Sequence, residues 1–487
     1  MHRSASQQAA RRCLTEEGIT MSTRTAAIAE AQRHFDEGEF REDLARRVAI
    51  KSTAQDPQHR DQLDLYLTDE IGPCLGEMGY EWSVFPNDEP AGGPFLVAHR
   101  REDPDAPTAL TYGHGDVVRG HEGRWREGRD PWTLDVDGDR WYGRGTADNK
   151  GQHTINIAAL RSVLRTRGRL GFNSTVFLET SEEVGSPGLD SFAASHKDLL
   201  EADVLIGSDG PRFQADSPTM FMGTRGAMNF SLHVDLREGS HHSGNWGGLI
   251  SNAGTRLANA LASIVGPKGE ILVDELKPAE VPPRVREVLE GVVIDGGPDG
   301  PAVEPDWGES GLTPTERVFA WNAFEVLSFV TGDPEKVVNA IPGTATAWCQ
   351  IRFTVDRDPT TFAPAMRRHL DAGGFSDVSV QQAEDDTMMH ATRLLPDHPW
   401  VVWARESIES TIDGDLTVLP NLGGSLPNDV FADTLGLPTL WVPHSYPSCS
   451  QHAPNEHVLA PLMREGLEMM TGLFWDLGEG RTPALIT

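Results

Sequence analysis

The sequence predicts an α/β protein: a mostly parallel sheet flanked by helices, interrupted by an inserted α+β domain. Three observations predict it. Between Ala109 and Asp209, short apolar runs end on glycine and an acid or histidine, and helices follow. Near Gly226 the texture changes, and Met228–Leu236 and Ala345–Val355 alternate like half-exposed strands. From about His390 the earlier pattern of helices and short apolar strands returns. The expected division is an extension without fixed structure at 1–24, the main domain at 25–226 and 389–487, and the insertion at 227–388.

The elements follow in order. Met1–Thr20 carries Arg3, Arg11 and Arg12 but no apolar run, so it is not a secretory signal, and Met21 offers a second start. Thr25–Ile50 reads as helical, and Asp61–Met78 as a helix stopped by Gly79. Phe95–Ala98 and the run through Tyr112 are strands, and Gly120–Trp141 is a loop rich in Gly, Trp and Asp. Tyr142–Gly151 holds three glycines that permit tight turns. Its spacing fits neither phosphate-loop pattern, so no nucleotide is expected. Ile155, Ala159, Leu160, Val163 and Leu164 then make one apolar helical stripe. Ser174–Leu178 and Val204–Ile206 are strands, separated by a helix at Asp190–Leu200. The insertion should contain a helix at Leu249–Val265 and another at Pro364–Leu370. Lys277–Thr315, rich in Pro, Gly and acids, reads as surface loop with some helix. A helix at Val401–Ile412, strands at Leu416–Leu419 and Pro438–Val442, and a Gly423-Gly424-Ser425 loop close the main domain. The final helix begins near Pro461 and carries Met463, Leu467, Met470, Phe474 and Leu477 on one face.

Composition narrows the function. A chain of 487 residues exceeds one compact core. The formal net charge of −31 repels phosphate backbones and anionic lipid, so neither nucleic acid nor membrane is an expected partner. No apolar run of about 18 residues predicts a membrane-spanning helix. Cys13, Cys74, Cys349 and Cys449 show no paired spacing, which suits a reducing, cytoplasmic setting.

The chemistry lies at the strand ends. His114 and Asp116 alternate and so share one face of an extended backbone, as a metal ligand and its orienting carboxylate would. Asp148 stands just before a helix, where it could cap the helix or bind a metal. Glu182 and Glu183 leave one strand and Asp209 another, and His452 comes late in the chain. Two histidines and three carboxylates (His114, Asp148, Glu183, Asp209, His452) would crowd one tetrahedral ion. They suit two divalent ions, Zn²⁺ first with Mn²⁺ or Co²⁺ as alternatives, sharing a bridging carboxylate and a water. Glu182 is then the free carboxylate that takes the proton of that water.

From Phe95 to Glu456 these motifs resemble the co-catalytic zinc metallopeptidase family of aminoacylase, carboxypeptidase G, succinyl-diaminopimelate desuccinylase and carnosinase, nearest its carnosinase-type dipeptidase branch. The resemblance implies a zinc-peptidase α/β domain with an inserted lid that also makes a homodimer. It implies Asp148 as the bridging ligand, Asp116 as orienter and Glu182 as general base. His241-His242-Ser243-Gly244 resembles the lid segment whose histidine stabilises the oxyanion, usually in the partner's site, and this puts His242 in that role. Val338-Asn339-Ala340-Ile341-Pro342 followed by Arg352 resembles the substrate-holding strand pair, with Asn339 touching the substrate and Arg352 its free carboxylate. Gly424 and Ser425 fall in the resembling substrate loop. The implied activity is hydrolysis of a dipeptide or a C-terminal residue. An amidohydrolase acting on N-acyl amino acids uses the same chemistry, and a non-catalytic binding protein is the remote alternative. Ser208-Asp209-Gly210-Pro211 and Lys277–Thr315 depart from the branch, and both bear on substrate identity. His390, His398, His444 and His457 are read as packing or supporting residues.

Overall fold

The computed structural model describes residues 22–294, 301–382 and 388–483. The expected extension at 1–24 lies outside the described residues as far as position 21, as does part of the expected boundary near 388. Thr23 accepts a hydrogen bond from the Ala26 amide and opens helix α1 (Arg24–Asp36). Gly38, at φ 93°, breaks the expected Thr25–Ile50 helix in two, and α2 (Glu39–Ala49) follows. The helical run expected at Asp61–Met78 is present as Arg60–Glu77, with one π turn at Tyr66–Ile71.

Strands β1 (Glu81–Phe85), β2 (Phe95–Arg100) and β3 (Thr108–His114) lead to α3 (Lys150–Arg167). Then come β4 (Asn173–Glu179), β5 (Val204–Gly207) and β6 (Thr219–Phe221). A second unit contains β7 (Gly226–His242), α4 (Ala253–Ile264), β8 (Ala323–Thr331), β9 (Ala340–Phe353), α5 (Phe362–Ala372) and β10 (Val378–Gln382). The chain returns through α6 (Pro399–Glu409), β11 (Thr417–Leu419), β12 (Thr439–Trp441) and α7 (Ala460–Leu477).

The main sheet has eight strands in the order β1-β2-β4-β3-β5-β12-β6-β11. Its centre, β4-β3-β5-β12, is parallel, and antiparallel pairs occur on both sides of that centre. Both faces are buried, as a parallel sheet requires. Leu96, Ala98, Val176 and Leu178 face one core with α1, α3 and α7. Phe95, Val97, Leu110 and Phe177 face the other. Each such side chain, fully buried, contributes roughly 1.5–3 kcal/mol over exposure. Helix α3 shows more than the single expected stripe. It is buried on every side from Lys150 to Leu160, because α1, α2 and α7 close over the faces the sheet leaves open.

The insertion forms its own antiparallel sheet, β8-β9-β7-β10, with α4 and α5 packed on one face. Along β9 burial alternates, as the sequence predicts. On edge strand β8 and its neighbour, Leu327, Phe329 and Trp348 stay exposed. Helix α4 begins at Ala253, capped by Asn252, four residues later than expected, and Leu249 is exposed.

Lys277–Thr315, expected as surface loop with some helix, does carry a helix at Pro283–Val288, but part of the stretch is buried. Residues 295–300 within it lie outside the described residues. Val281, Val285 and Leu289 are buried with Phe319 and Trp321 against the main sheet's second core. Only Val285 of the three lies in the short helix Pro283–Val288; Val281 precedes it and Leu289 ends it, so no helical period marks them in the sequence. Among the described residues no helix is long and apolar enough to cross a membrane.

Candidate metal centre

The centre forms where three parallel strands end. His114 is the last residue of β3, Glu182 and Glu183 follow β4, and Asp209 follows β5. This is the carboxyl edge where open α/β sheets place their sites. Asp148 enters from the loop before α3, and the loop after β12 brings in His452.

Asp148 is shared by two groups. His114, Asp148 and Asp209 offer donor atoms all within 4.8 Å of one another, and Asp148, Glu183 and His452 do the same. His114 Nε2 lies 2.9 Å from Asp148 Oδ1 and 3.6 Å from Asp209 Oδ2. His452 Nε2 lies 3.0 Å from both Asp148 Oδ2 and Glu183 Oε2. The five expected ligands therefore converge in two sets with one carboxylate in common.

Asp116 stands behind them, fully buried. Its carboxylate accepts from the amides of Glu182, at 3.2 Å, and Glu183, at 3.0 Å, which fixes the turn after β4. It also lies 3.4 Å from His114 Nδ1, whose nearer acceptor, at 3.1 Å, is the Asp116 carbonyl oxygen. Either contact directs Nε2 toward Asp148. The Glu182 carboxylate accepts no hydrogen bond from the described residues and stands 4.0 Å from His114 Nε2.

Electrostatics suit a bound cation. Burial, then the Asp148 charge, pushes Glu183 up to about 7 and Asp209 up to about 6. Burial likewise drives Glu182 well above the usual carboxylate range, with Glu183 and Asp209 adding to it. Burial acts against ionised Asp148 too, but hydrogen bonds from His114 and His452 outweigh it and hold the carboxyl below its ordinary range. Hydrogen bonds to Asp148 and Glu183 raise His452 to about 11. Asp209 Oδ2 is buried with no hydrogen-bond partner. Crowded carboxylates, one oxygen of which has no donor among the described residues, with imidazole and no thiolate, are a donor set that suits a divalent ion.

Several supporting residues escaped the sequence reading. Glu456 is buried and binds the whole loop that carries Asp148. Its Oε1 accepts from the amides of Gly145, Ala147 and Asp148 at 2.9–3.1 Å, and its Oε2 accepts from Arg144 at 2.5 Å. Gln152 donates to the carbonyls of Ala147 and Gly210 and so ties the Asp148 loop to the Asp209 loop. Gly151 lets that loop close over the start of α3, where a Cβ would overlap the Thr146 carbonyl. Gln451 donates to Asp148 Oδ2. Ser450, His452 and Asn455 all hold left-handed backbone at φ 59–68°. Non-glycine residues there cost about 1–3 kcal/mol each and concentrate at functional loops.

A cavity of about 520 Å³ opens onto the cluster, lined by Asp148, Glu182, Asp209 and His452 together with Arg352, Gly424 and Ser425. Arg352 donates to Ser425 Oγ at 2.7 Å, and Ser425 Oγ donates to the Arg225 carbonyl. Arg225, also unforeseen, donates to the Gly423 carbonyl. Burial, then the nearby Arg352 charge, lowers it to about 9.

His242 and Asn339 do not join the cluster within one chain. Both are exposed on the insertion, at the end of β7 and just before β9. The Asn339 carbonyl accepts from the Ser243 amide, and His242 Nδ1 from the Gly244 amide. The other histidines serve packing. His457 meets the Tyr446 hydroxyl at 2.6 Å, His398 caps α6, and His444 is fully buried.

Residues 110–476 match the sequence profile of peptidase family M20/M25/M40. A cysteinylglycine-S-conjugate dipeptidase of Corynebacterium striatum is 27% identical over 402 residues, which span 79% of this chain and 83% of that one. A Beta-Ala-His dipeptidase of Rattus norvegicus is 26% identical over 408 residues, 79% of this chain and 80% of that one. Among solved structures, the Saccharomyces cerevisiae dipeptidase Dug1p superposes with a TM-score of 0.78 at 19% identity, covering 94% of this chain and 99% of that one. Human carnosine dipeptidase 1 gives 0.74 at 20% identity, covering 93% and 100%.

Proposed function

The chain belongs to peptidase family M20/M25/M40, and on that premise we propose that it hydrolyses the amide bond of dipeptides bearing a free carboxylate. The observation that carries the reading is the single cavity joining the shared Asp148 cluster to Arg352 and Ser425. The dipeptidase names of the curated relatives favour the same substrate size.

Two divalent ions, Zn²⁺ first and Mn²⁺ or Co²⁺ otherwise, would be held by His114, Asp148 and Asp209 and by Asp148, Glu183 and His452. Bound there, they supply Lewis-acid polarisation of the scissile carbonyl and acidify the attacking water. The chain's own groups do the rest. Glu182, free of hydrogen-bond donors among the described residues, accepts the proton of the attacking water and returns it to the departing amine. Arg352, steadied by Ser425, pairs with the substrate carboxylate and fixes its orientation, and Gly424 keeps the approach open. Asn339 is assigned a substrate contact. His242, donated by the partner of a homodimer, stabilises the oxyanion. The buried free thiols Cys74, Cys349 and Cys449 agree with a reducing, cytoplasmic setting.

The test is hydrolysis of dipeptides beside N-acyl amino acids, on metal-stripped protein before and after Zn²⁺, Mn²⁺ or Co²⁺ is added. Metal-dependent cleavage of dipeptides is expected. Cleavage of the acyl compounds alone would transfer the site to amidohydrolysis, and no cleavage by metal-loaded protein would overturn the reading.

A further inference from the structure

Much of the cavity wall besides its polar groups is apolar. Phe213, Phe221, Val318, Phe319, Leu422 and Leu426 line it. Phe319, Phe221, Leu422 and Leu426 belong to the second core of the main sheet, so the wall is built into the fold. Phe213 and Phe319 brace each other, with ring centroids 6.1 Å apart. Residues of the wall adjoin both anchors: Leu422 stands beside Gly210, next to Asp209, and Val318 beside Gly423, in the loop that carries Ser425. Phe213 lies four residues beyond Asp209, and Leu422 and Leu426 flank the loop that meets Arg352 through Ser425.

Resting on the peptidase reading above, we propose that the substrate residue carrying the free carboxylate has a bulky apolar side chain and that these six residues form its pocket. With the scissile carbonyl at the Asp148 cluster and the carboxylate at Arg352, only that residue spans the interval along the wall. A polar side chain there would lose its water and find no hydrogen-bonding side chain among the six to replace it. A volume of about 520 Å³ leaves space for a Leu or Phe side chain, which a glycine would not use. Arg212 also lines the cavity; its two terminal nitrogens bind Glu465 and Met469, and its buried Nε has no partner among the described residues. Both stretches that departed from the dipeptidase pattern lead into this wall: Asp209-Gly210-Pro211 runs on to Phe213, and Lys277–Thr315 runs on to Val318 and Phe319.

The experiment measures kcat/KM of the metal-loaded protein on two matched series, Ala-X and X-Ala, with X as Gly, Ser, Asp, Lys, Leu and Phe. Ala-Leu and Ala-Phe should exceed Ala-Gly and Ala-Ser at least about tenfold, with a smaller spread in the X-Ala series. Val318→Ser should narrow the ratio of Ala-Leu to Ala-Gly. Equal or better cleavage of Ala-Gly or Ala-Asp overturns the pocket while leaving the peptidase reading in place. Apolar preference confined to X-Ala overturns the assignment of the pocket to the carboxylate-bearing residue. No cleavage in either series overturns the peptidase reading and this inference with it.

Discussion

Glu182, half-buried, and Glu456, fully buried, show how differently two glutamates serve one site. The Glu182 carboxylate is bound by no donor among the described residues, whereas that of Glu456 accepts four hydrogen bonds. Glu182→Ala should therefore keep fold and metal content, read by elemental analysis, while kcat falls about 10²- to 10⁴-fold. Near-full turnover in that variant would remove it as the base. Glu456→Ala should act in the opposite sense. It leaves Arg144 buried without its partner, which costs about 3–5 kcal/mol in urea unfolding, and it frees the loop holding Asp148. A wild-type unfolding midpoint would refute that assignment. The sequence made the first residue legible and hid the second. Glu182 sits in a motif at a strand end, where acids have few reasons to lie. The partners of Glu456 are backbone amides about 310 positions away, and no local pattern records them.

At the scale of elements, helices were legible wherever one face is apolar, as in α7. Where a helix is buried on all sides, as in the first half of α3, periodicity understated its contacts. Charged groups tie helices together as well. Glu39 on α2 accepts from Arg165 of α3 at 2.9 Å and from Arg33 of α1 at 3.1 Å. The Arg165 hydrogen bond, with help from His34 and Arg33, lowers its carboxyl from near 4.5 to about 2. A depressed folded-state pKa gives stability that is present above the unfolded value and lost as pH falls toward the folded one. The urea midpoint of Glu39→Gln should therefore lie below that of wild type at pH about 6, and the gap should narrow as pH falls below about 4.5 and close only below about 2. A gap independent of pH would show that the ion pairs contribute nothing there.

For the whole molecule, the mostly parallel sheet flanked by helices was legible in the sequence, whereas the order of its strands was not. The packing of Val281, Val285 and Leu289 against the main sheet's second core was not legible, because prolines, glycines and acids surround them in the sequence. His242 and Asn339 were legible only as motif residues, since one chain leaves them exposed. Light scattering should give a dimer, and Leu327→Asp on the exposed edge strand should yield monomer with reduced activity. A fully active monomer would take His242 out of the partner's site. The crossing of Glu456 onto the Asp148 loop has a further consequence, in time. The two positions are 308 residues apart. At about 5–20 residues per second, a ribosome needs roughly 15–60 s to travel from one to the other. Throughout that interval the nascent chain carries Asp148 on a loop without its lock, and the centre is among the last parts of the protein to be completed.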